Sequence, residues 1–259
     1  TLLVTATLLS ACGERSIKTS SEDGPGNQYV DTGIADAVPK IEPKSRYGNP
    51  PSYVVRGNRY YVLDNSHGYV KKGIASWYGS KFHGRRTSSG EPYDMYAMSA
   101  AHKELPLPTY VKVTNLENKR KAVVRVNDRG PFHDNRLIDL SYAAATKLGI
   151  VEKGTGLVEI QALPLGIAEP KKNAIEHQLE TKPSVYIQVG AFSSRQNAEL
   201  MLKRLKDYNL GQALIQKGNG RQQTLFRVRI GPLASVDLVD QTAQRLKQLG
   251  MQDYRVVID

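Results

Sequence analysis

Four carboxylates and one histidine in the middle of the chain carry the side-chain chemistry of general acid–base catalysis: Glu91, Asp94, His102, Asp128 and Asp139. A carboxylic acid that donates a proton near neutral pH needs surroundings that raise its pKa. A carboxylate that accepts a proton or stabilises positive charge must instead stay ionised. The residues around each group therefore indicate which of these roles it can take.

Glu91 and Asp94 stand on either side of a Pro-Tyr pair, directly after the turn-forming residues 87–90. Gly, Ser and Pro in this density predict a loop. Both carboxylates can line a cleft from such a loop; alternatively, Asp94 stabilises the turn and Glu91 is solvated. His102 follows an alanine-rich stretch, and it is either an ordinary core or surface histidine or one that orients a carboxylate or contacts sugar.

Asp128 and Asp139 stand in contrasting surroundings. Asp128 lies in the motif Asn-Asp-Arg-Gly-Pro (127–131), where an aspartate commonly caps the backbone N–H groups of a turn. Asp139 lies between two apolar residues, so desolvation can raise its pKa, as a general acid requires. The alternative for Asp139 is an ion pair with Arg125 or Arg136.

The elements that carry these residues have the pattern of a small β-barrel. Residues 71–163 contain short runs of β-branched and aromatic residues, separated by clusters of Gly, Pro, Asn and Asp. One helix is predicted over residues 142–148, with Ser141 as its N-cap and Gly149 just after its end. Short strands with one small helix in a segment of this length predict a compact, mainly β barrel.

The last part of the chain, residues 183–259, contains an internal repeat. The segment IQVGAF (187–192) recurs as VRIGPL (228–233). Each half has the pattern strand, helix, strand, which predicts an α+β domain of order βαββαβ with both helices on one side of a four-stranded sheet. Strand alternation places four polar residues on the open face of that sheet: Tyr186, Gln188, Arg227 and Arg229.

The N-terminal residues predict export and lipidation. Residues 1–12 form an apolar, uncharged run that ends in Leu-Ser-Ala-Cys, the pattern of a lipoprotein signal peptide. The run begins without a methionine or a basic region, which indicates a clipped N-terminus, and it is too short to span a bilayer. Cys12, the only cysteine, is the expected lipidation site, and Gly13 after it favours the outer membrane.

Three further segments are predicted to connect these parts. Residues 13–50 are rich in Ser, Gly, Pro and charge without periodicity, which predicts a flexible tether. Residues 51–70 contain short β-prone pieces and are expected to form a strap leading into the barrel. Residues 164–182 form a second polar linker, so the two domains are predicted to be joined flexibly.

The positive charge lies on the two predicted domains. Of the formal net charge of +11, residues 71–163 contribute through 15 Lys and Arg against 9 Asp and Glu, and residues 183–259 through 11 against 6. Such domains predict a polyanionic partner: nucleic acid, an anionic membrane or an acidic polysaccharide. Export argues against nucleic acid. The sequence contains no H-E-x-x-H, G-x-S-x-G or P-loop motif, so neither a metal nor another cofactor is predicted.

Several motifs resemble those of a known family. Five segments of the chain resemble the double-psi β-barrel of the rare lipoprotein A family: GIASWYG (73–79), FHGRRTSSGEPYD (82–94), AHKELP (101–106), VNDRGP (126–131) and IDLS (138–141). Residues 184–259 resemble a SPOR domain, a module that recognises septal peptidoglycan stripped of its stem peptides. The order of lipidation motif, barrel and SPOR domain also matches this family.

The resemblance implies a six-stranded double-psi barrel with lytic transglycosylase activity. Such an enzyme cleaves MurNAc-β-1,4-GlcNAc bonds within peptide-free glycan strands and leaves 1,6-anhydro ends. The expected site of action is the periplasmic face of the outer membrane at the division septum, in the company of septal division proteins. Because their positions match acidic and Ala-His motifs tied to activity in the family, Asp94, His102 and Glu91 rank ahead of Asp139 and Asp128 as catalytic residues.

With glycan as the implied substrate, other residues have side-chain chemistry suited to binding it. Trp77 and Tyr78 can stack on sugar faces, although Trp77 can equally belong to the core. Arg85, Arg86 and Arg129 can pair with the lactyl carboxylates of peptide-free MurNAc, or form a solvated basic face. The open face of the last domain resembles a glycan platform, although RNA-recognition modules use a similar sheet.

Two other functions remain open at this point. The barrel can grip glycan without cutting it, as an expansin-like wall protein does. The whole chain can also serve as a structural tether between the outer membrane and the wall.

Overall fold

The computed structural model describes residues 23–165, 183–219 and 224–259. The predicted signal peptide with Cys12, residues 13–22 of the predicted tether and most of the predicted linker lie outside the described residues.

The first domain is a closed barrel of six strands. The strands of this domain and of the segment before it are β1 (Ser52–Val55), β2 (Asn58–Tyr61), β3 (Val70–Tyr78), β4 (Ser99–His102), β5 (Thr109–Asn115), β6 (Lys121–Asp128), β7 (Arg136–Ser141) and β8 (Gly156–Ala162). The barrel closes in the order β3-β7-β4-β6-β5-β8. Strands β3 and β7 are parallel, as are β4 and β6, and the other neighbours are antiparallel. This confirms the predicted six-stranded barrel.

The interior of the barrel follows from strand alternation. Val111, Val124, Ile138 and Leu140 are fully buried and pack against one another, so the residues between them on the same strands face outward. Helix α1 (Tyr142–Leu148) covers one side of the barrel with three buried alanines. Its predicted caps are confirmed: the Ser141 hydroxyl accepts a hydrogen bond from the backbone N–H of Ala144, and Gly149 adopts φ 68°.

The part of the predicted tether that the structure describes, residues 23–50, lies against the barrel. Asp36 pairs with Lys147 at 2.8 Å and accepts a hydrogen bond from the backbone N–H of Val123. Glu42 pairs with Arg125 at 2.9 Å. This differs from the flexible tether that the composition predicts, because several side chains of the segment, Asp36 and Glu42 among them, bind barrel groups. We call residues 23–50 the N-terminal segment.

The second domain is an α+β sandwich of one sheet and two helices. Its elements are β9 (Val185–Phe192), α2 (Arg195–Asp207), β10 (Ala213–Asn219), β11 (Thr224–Leu233), α3 (Val236–Gln248) and β12 (Arg255–Ile258). The sheet has the order β10-β11-β9-β12 and is antiparallel throughout. Both helices pack on one side, where Ile187, Leu205, Ile230 and Leu246 are fully buried. The predicted βαββαβ domain is confirmed.

The two domains contact each other. Asp240 of α3 accepts hydrogen bonds from both terminal nitrogens of Arg136 at the start of β7, at 3.1 and 2.6 Å. Lys247 pairs with Asp134 nearby. Three apolar barrel residues, Ile74, Leu116 and Leu157, are buried in the same cluster as the core of the second domain. Within the described ranges, no helix combines the length and apolar character needed to cross a membrane.

Candidate active site

Asp139 occupies a partly buried position on the outer face of the barrel, with its Oδ1 atom fully buried. Its neighbours Ile138 and Leu140 both point into the core, so the side chain between them points away from it. In the described part of the chain, the buried Oδ1 atom of Asp139 has no hydrogen-bond partner. Burial raises the pKa of Asp139 to about 6. The Ser76 side chain and Arg136 lower it, while the negative charges of Asp23 and Asp128 raise it further.

The predicted alternative for Asp139, an ion pair with Arg125 or Arg136, is wrong. Arg125 forms bidentate hydrogen bonds with both Glu42 and Glu91, and Arg136 pairs with Asp240. Both guanidinium groups are thus paired with other carboxylates. The apolar neighbours of Asp139 then favour the protonated, neutral form of its carboxyl.

Buried oxygens without a hydrogen-bond partner extend across four consecutive strands of the barrel. In the order β3, β7, β4 and β6 they are Tyr78 Oη, Asp139 Oδ1, Ser99 Oγ and Asn127 Oδ1, counted over the residues that the structure describes. Buried polar atoms in native proteins are nearly always paired, so an unpaired group calls for a ligand, a water molecule or a catalytic role. The Tyr78 and Ser99 side chains also interact with each other, and the four atoms on adjacent strands mark one polar surface that a substrate with many hydroxyls can complete. We call these residues the oxygen row.

Asp128 lies close to Asp139 and fixes a loop. The strand register places Ala101 of β4 between Asp139 on one side and Asp128 on the other. One Asp128 oxygen accepts three hydrogen bonds of 2.7 Å, from the backbone N–H and hydroxyl of Ser88 and from the backbone N–H of Arg129. This is the turn-capping role predicted for it, and its negative charge also acts on Asp139.

Glu91 is held as a carboxylate. It receives two hydrogen bonds from Arg125, at 2.8 and 2.9 Å, and one from Asn127 at 3.1 Å. These contacts lower the pKa of Glu91, chiefly through the hydrogen bond from Arg125. A group in this state cannot donate a proton near neutral pH, so the structure does not support the high rank given to Glu91 as an acid.

Asp94 occupies an exposed turn. Its Oδ1 atom accepts a hydrogen bond of 2.9 Å from the backbone N–H of Tyr96, and it lies 3.8 Å from Nδ1 of His83. The side chain is more than half exposed. Asp94 therefore has the turn contact of the alternative interpretation, and the predicted catalytic role of this residue stays a prediction.

His102 is a core histidine. Its Nδ1 atom accepts hydrogen bonds from the backbone N–H groups of Glu104 and Leu105, so the proton on Nε2 is donated to the Tyr69 hydroxyl at 2.9 Å. Burial lowers the pKa of His102 to about 3, which keeps the ring neutral. The prediction that it hydrogen-bonds a carboxylate is wrong, because all of its ring contacts are to backbone groups and Tyr69.

The two predicted aromatic contacts differ in position. Trp77 is partly buried, packs against the barrel core and lies 5.6 Å from the Tyr142 ring, which is the core alternative. Tyr78 lies on the same face of the barrel as Asp139 and stacks on Tyr93, with the ring centroids 4.0 Å apart and the Tyr78 hydroxyl in the oxygen row. The stacked rings of Tyr78 and Tyr93 are both buried, so a sugar can reach the Tyr78 hydroxyl more readily than the face of its ring.

The three predicted arginine ligands also differ. Arg85 and Arg86 are exposed on the loop before Thr87, and Arg85 lies over the Phe82 ring at 5.9 Å. Arg129 instead donates to the backbone carbonyls of Gly48, His102 and Leu105. Its guanidinium group holds the N-terminal segment and β4 together, so the prediction that Arg129 pairs with a substrate carboxylate is not supported.

A groove of about 780 Å³ continues from the oxygen row. Ser99, Asn127, Glu91 and Asp94 line it on the barrel side, and residues 34–42 of the N-terminal segment line it on the other. A groove of this size next to the oxygen row has room for sugar units on one side of a scissile bond.

The open face of the second domain carries the predicted polar residues, with a correction. Strand pairing aligns Arg255, Gln188 and Arg229 across three strands. Arg229 is buried, pairs with Asp259 at 2.6 Å and lies over the Tyr186 ring, while Gln188 is buried beside Arg255. Gln188 and Arg229 thus lie beneath the exposed residues of this face and hold them in place. Tyr186, Arg227 and Arg255 form its more accessible part.

The sequence interpretation missed several residues of the site. Ser76 alternates with the core residues of β3 and faces Asp139 across the parallel register, so alternation alone could have identified it. Ser99, Asn127, Asp23 and Glu42 gave no comparable signal. Their roles depend on contacts between segments that are distant in sequence.

Fold and site together define a class of protein: a double-psi barrel with a buried carboxyl suited to proton donation, followed by an α+β binding domain. Residues 70–160 match the family model described as lytic transglycolase, and residues 181–256 match the SPOR domain model.

The comparisons with individual proteins agree with these models. The chain is 35% identical to the endolytic peptidoglycan transglycosylase RlpA of Pseudomonas aeruginosa (strain UCBPP-PA14), over 93% of this chain and 90% of that protein. It is 40% identical to the protein of the same name from Vibrio cholerae, over 89% and 85%. The crystal structure of the RlpA SPOR domain from Pseudomonas aeruginosa is 33% identical over 28% of this chain and 96% of that chain, with a TM-score of 0.27.

The chain therefore belongs to the rare lipoprotein A (RlpA) family. This confirms the resemblance stated on the sequence motifs, and with it the enzyme class expected for the barrel.

Proposed function

We propose that the chain is an endolytic peptidoglycan transglycosylase in which Asp139 is the proton donor. The observation that carries this proposal is the buried Asp139 carboxyl, with its unpartnered Oδ1 atom and its pKa of about 6. An acid with this pKa is still protonated in part near neutral pH. A glycosidic oxygen that enters the cleft supplies the hydrogen-bond partner that Asp139 lacks.

The reaction needs one carboxyl group. Asp139 protonates the oxygen of the scissile bond, the bond from that oxygen to the sugar carbon C1 breaks, and positive charge develops on the sugar ring. The C6 hydroxyl of the same sugar attacks C1 and forms the 1,6-anhydro end, while its proton passes to the Asp139 carboxylate. Asp139 is thereby restored, and no water is consumed.

The proposed substrate is a peptide-free glycan strand with MurNAc-β-1,4-GlcNAc bonds. Removal of the stem peptides exposes lactyl carboxylates, which suit the exposed Arg85 and Arg86 and the basic charge of both domains. The SPOR domain would direct the enzyme to septal peptidoglycan, among division proteins. Cys12 is the proposed lipid anchor in the outer membrane, which gives the enzyme a periplasmic location.

The proposal is tested by mass spectrometry of glycan products. Protein that lacks residues 1–12 is incubated with amidase-treated peptidoglycan, for wild type, Asp139→Asn, Asp94→Asn and Glu152→Gln. Glu152 is an exposed carboxylate just after α1 and serves as the matched control. We expect new 1,6-anhydro ends from wild type and the control, and a loss of at least a hundredfold in Asp139→Asn.

Two results would contradict the proposal. Cleavage by Asp139→Asn together with its loss in Asp94→Asn would assign the acid to Asp94. Sedimentation of wild type with the glycan without new ends would favour the glycan-binding, expansin-like alternative.

A further inference from the structure

The beginning of the N-terminal segment lies at the end of β3, beside the proposed active site. The Asp23 carboxylate accepts hydrogen bonds from the backbone N–H of Gly79, at 3.0 Å to Oδ1 and 3.1 Å to Oδ2, and from the backbone N–H of Lys81 at 3.1 Å. The carbonyl oxygen of Gly24 accepts another from Ser80 at 2.9 Å. Four hydrogen bonds thus fix the turn that follows Tyr78.

The close approach of the two chain segments depends on a missing side chain. A Cβ atom at Gly79 would collide with the carbonyl oxygen of Gly24. Glycine at position 79 therefore lets the N-terminal segment lie directly on the turn. Tyr78 and Ser76 of the same strand share the face of the barrel that carries Asp139, so this turn follows directly on the Tyr78 end of the oxygen row.

Asp23 also acts on Asp139 through its charge. Burial is the main reason for the raised pKa of Asp139, and the charge of Asp23 raises it further. The charge of Asp23 acts in the same direction on Tyr93, which stacks on Tyr78. The charged and titratable groups that act on or with Asp139 from the surrounding elements are Asp23, Tyr78, Tyr93, Lys103, Asp128 and Arg136.

We infer that Asp23 is a positioning residue of the transglycosylase reaction, supplied to the barrel by the N-terminal segment. It holds the turn at residues 79–81 in place and sets a second negative charge beside the proton donor. This inference rests on the proposed function of Asp139. It gives the N-terminal segment a part in catalysis, in addition to connecting the barrel to its anchor.

The test compares pH profiles of kcat for wild type, Asp23→Asn and Asp31→Asn on amidase-treated glycan. Asparagine keeps an oxygen that can accept from Gly79 but removes the charge. We expect the alkaline limb of Asp23→Asn to move down by about half a pH unit, because loss of a like charge lowers the pKa of the acid. At pH 7 this is a reduction of about threefold in kcat, and below about pH 5 the two rates converge. Asp31, which caps its own turn through the backbone N–H of Gly33, is the matched control and leaves the profile unchanged.

A second measurement does not require cleavage. The Asp139 carboxyl is titrated by ¹³C NMR in the same proteins and assigned by its absence in Asp139→Asn. A lower titration midpoint in Asp23→Asn supports the inference, and superimposed titrations and pH profiles of Asp23→Asn and wild type overturn it. If wild type does not cleave, or if Asp139→Asn cleaves with an unchanged profile, the proposed function of Asp139 fails, and the NMR titration still reports whether Asp23 acts on Asp139.

Discussion

Asp139, the proposed proton donor, lowers the stability of the folded protein at neutral pH, because burial opposes its ionisation. Its pKa is about 6 in the folded protein against an ordinary value of 3.8. Between these values the folded state binds more protons than the unfolded state, so stability falls as the pH rises from about 4 to about 6.

Replacement of Asp139 by asparagine should therefore stabilise the protein at neutral pH. We expect Asp139→Asn to be more stable than wild type by about 1–3 kcal/mol at pH 7–8, and the difference to vanish near pH 4. Urea unfolding at a series of pH values measures this. A gap that is constant with pH would show that the carboxyl does not titrate as described.

His102 stabilises the barrel. Because burial lowers its pKa to about 3, the unfolded state binds a proton more readily below the ordinary value of 6.5, and stability falls as the pH drops through that range. We expect His102→Ala to lose about 2–4 kcal/mol of unfolding free energy, since two backbone N–H groups lose their acceptor. Denaturant unfolding measures the loss, and kcat per folded molecule should be retained. If the His102→Ala protein is as stable as wild type but cleaves no glycan, His102 takes part in catalysis.

At the scale of the elements, Arg125 of β6 joins two pieces of chain that form opposite walls of the groove. It holds Glu42 from the N-terminal segment and Glu91 from the loop before β4, and Tyr110 donates to Glu42 at 2.6 Å. The pKa of both carboxylates is lowered, chiefly by hydrogen bonds from Arg125. Their contribution to stability is therefore complete above about pH 4.5 and is lost on acidification.

Removal of the Glu42 side chain should loosen the contact of residues 34–42 of the N-terminal segment with the barrel. We expect Glu42→Ala to lower the unfolding free energy by about 1–3 kcal/mol and to speed protease cleavage within residues 34–45. Limited proteolysis with mass-spectrometric mapping measures the second effect. Glu117→Ala is the control, because Glu117 forms only an exposed pair with Lys153 at 3.4 Å. Equal cleavage of the two variants would mean that Glu42 does not hold the segment.

The elements show where sequence interpretation succeeds and where it stops. Strand alternation, the Ser141 and Gly149 caps and the repeat in the last domain are local patterns, and each predicted its element correctly. The surroundings of Asp139 were also local, since two apolar neighbours already indicated desolvation. The binding of Glu42 by Arg125 and the burial of His102 depend on contacts across many residues, which composition and motif position do not reveal.

At the scale of the whole molecule, an ion pair between the buried Arg136 and the partly buried Asp240 connects the domains. The Arg136 side chain is 8% exposed and that of Asp240 is 29% exposed, whereas Lys247 and Asp134 are 44% and 55% exposed. A double-mutant cycle of Arg136→Gln and Asp240→Asn should give a coupling energy of about 1–3 kcal/mol in denaturant unfolding. The exposed Lys247–Asp134 pair should give less than about 1 kcal/mol. No coupling in the first cycle would mean that the domains do not dock through Arg136.

Because Asp23 is bound to the turn at Gly79, the distance between the barrel and the proposed lipid anchor is limited. With Cys12 as the proposed lipid anchor, the residues before Asp23 set the distance between the anchor and the barrel, because Asp23, Asp36 and Glu42 bind barrel groups. At about 3.3–3.6 Å per residue, the chain from Cys12 to Asp23 reaches at most about 40 Å. The reach would be well over 100 Å if the first contact with the barrel came at residue 50. The enzyme would then reach only the glycan layer nearest the outer membrane.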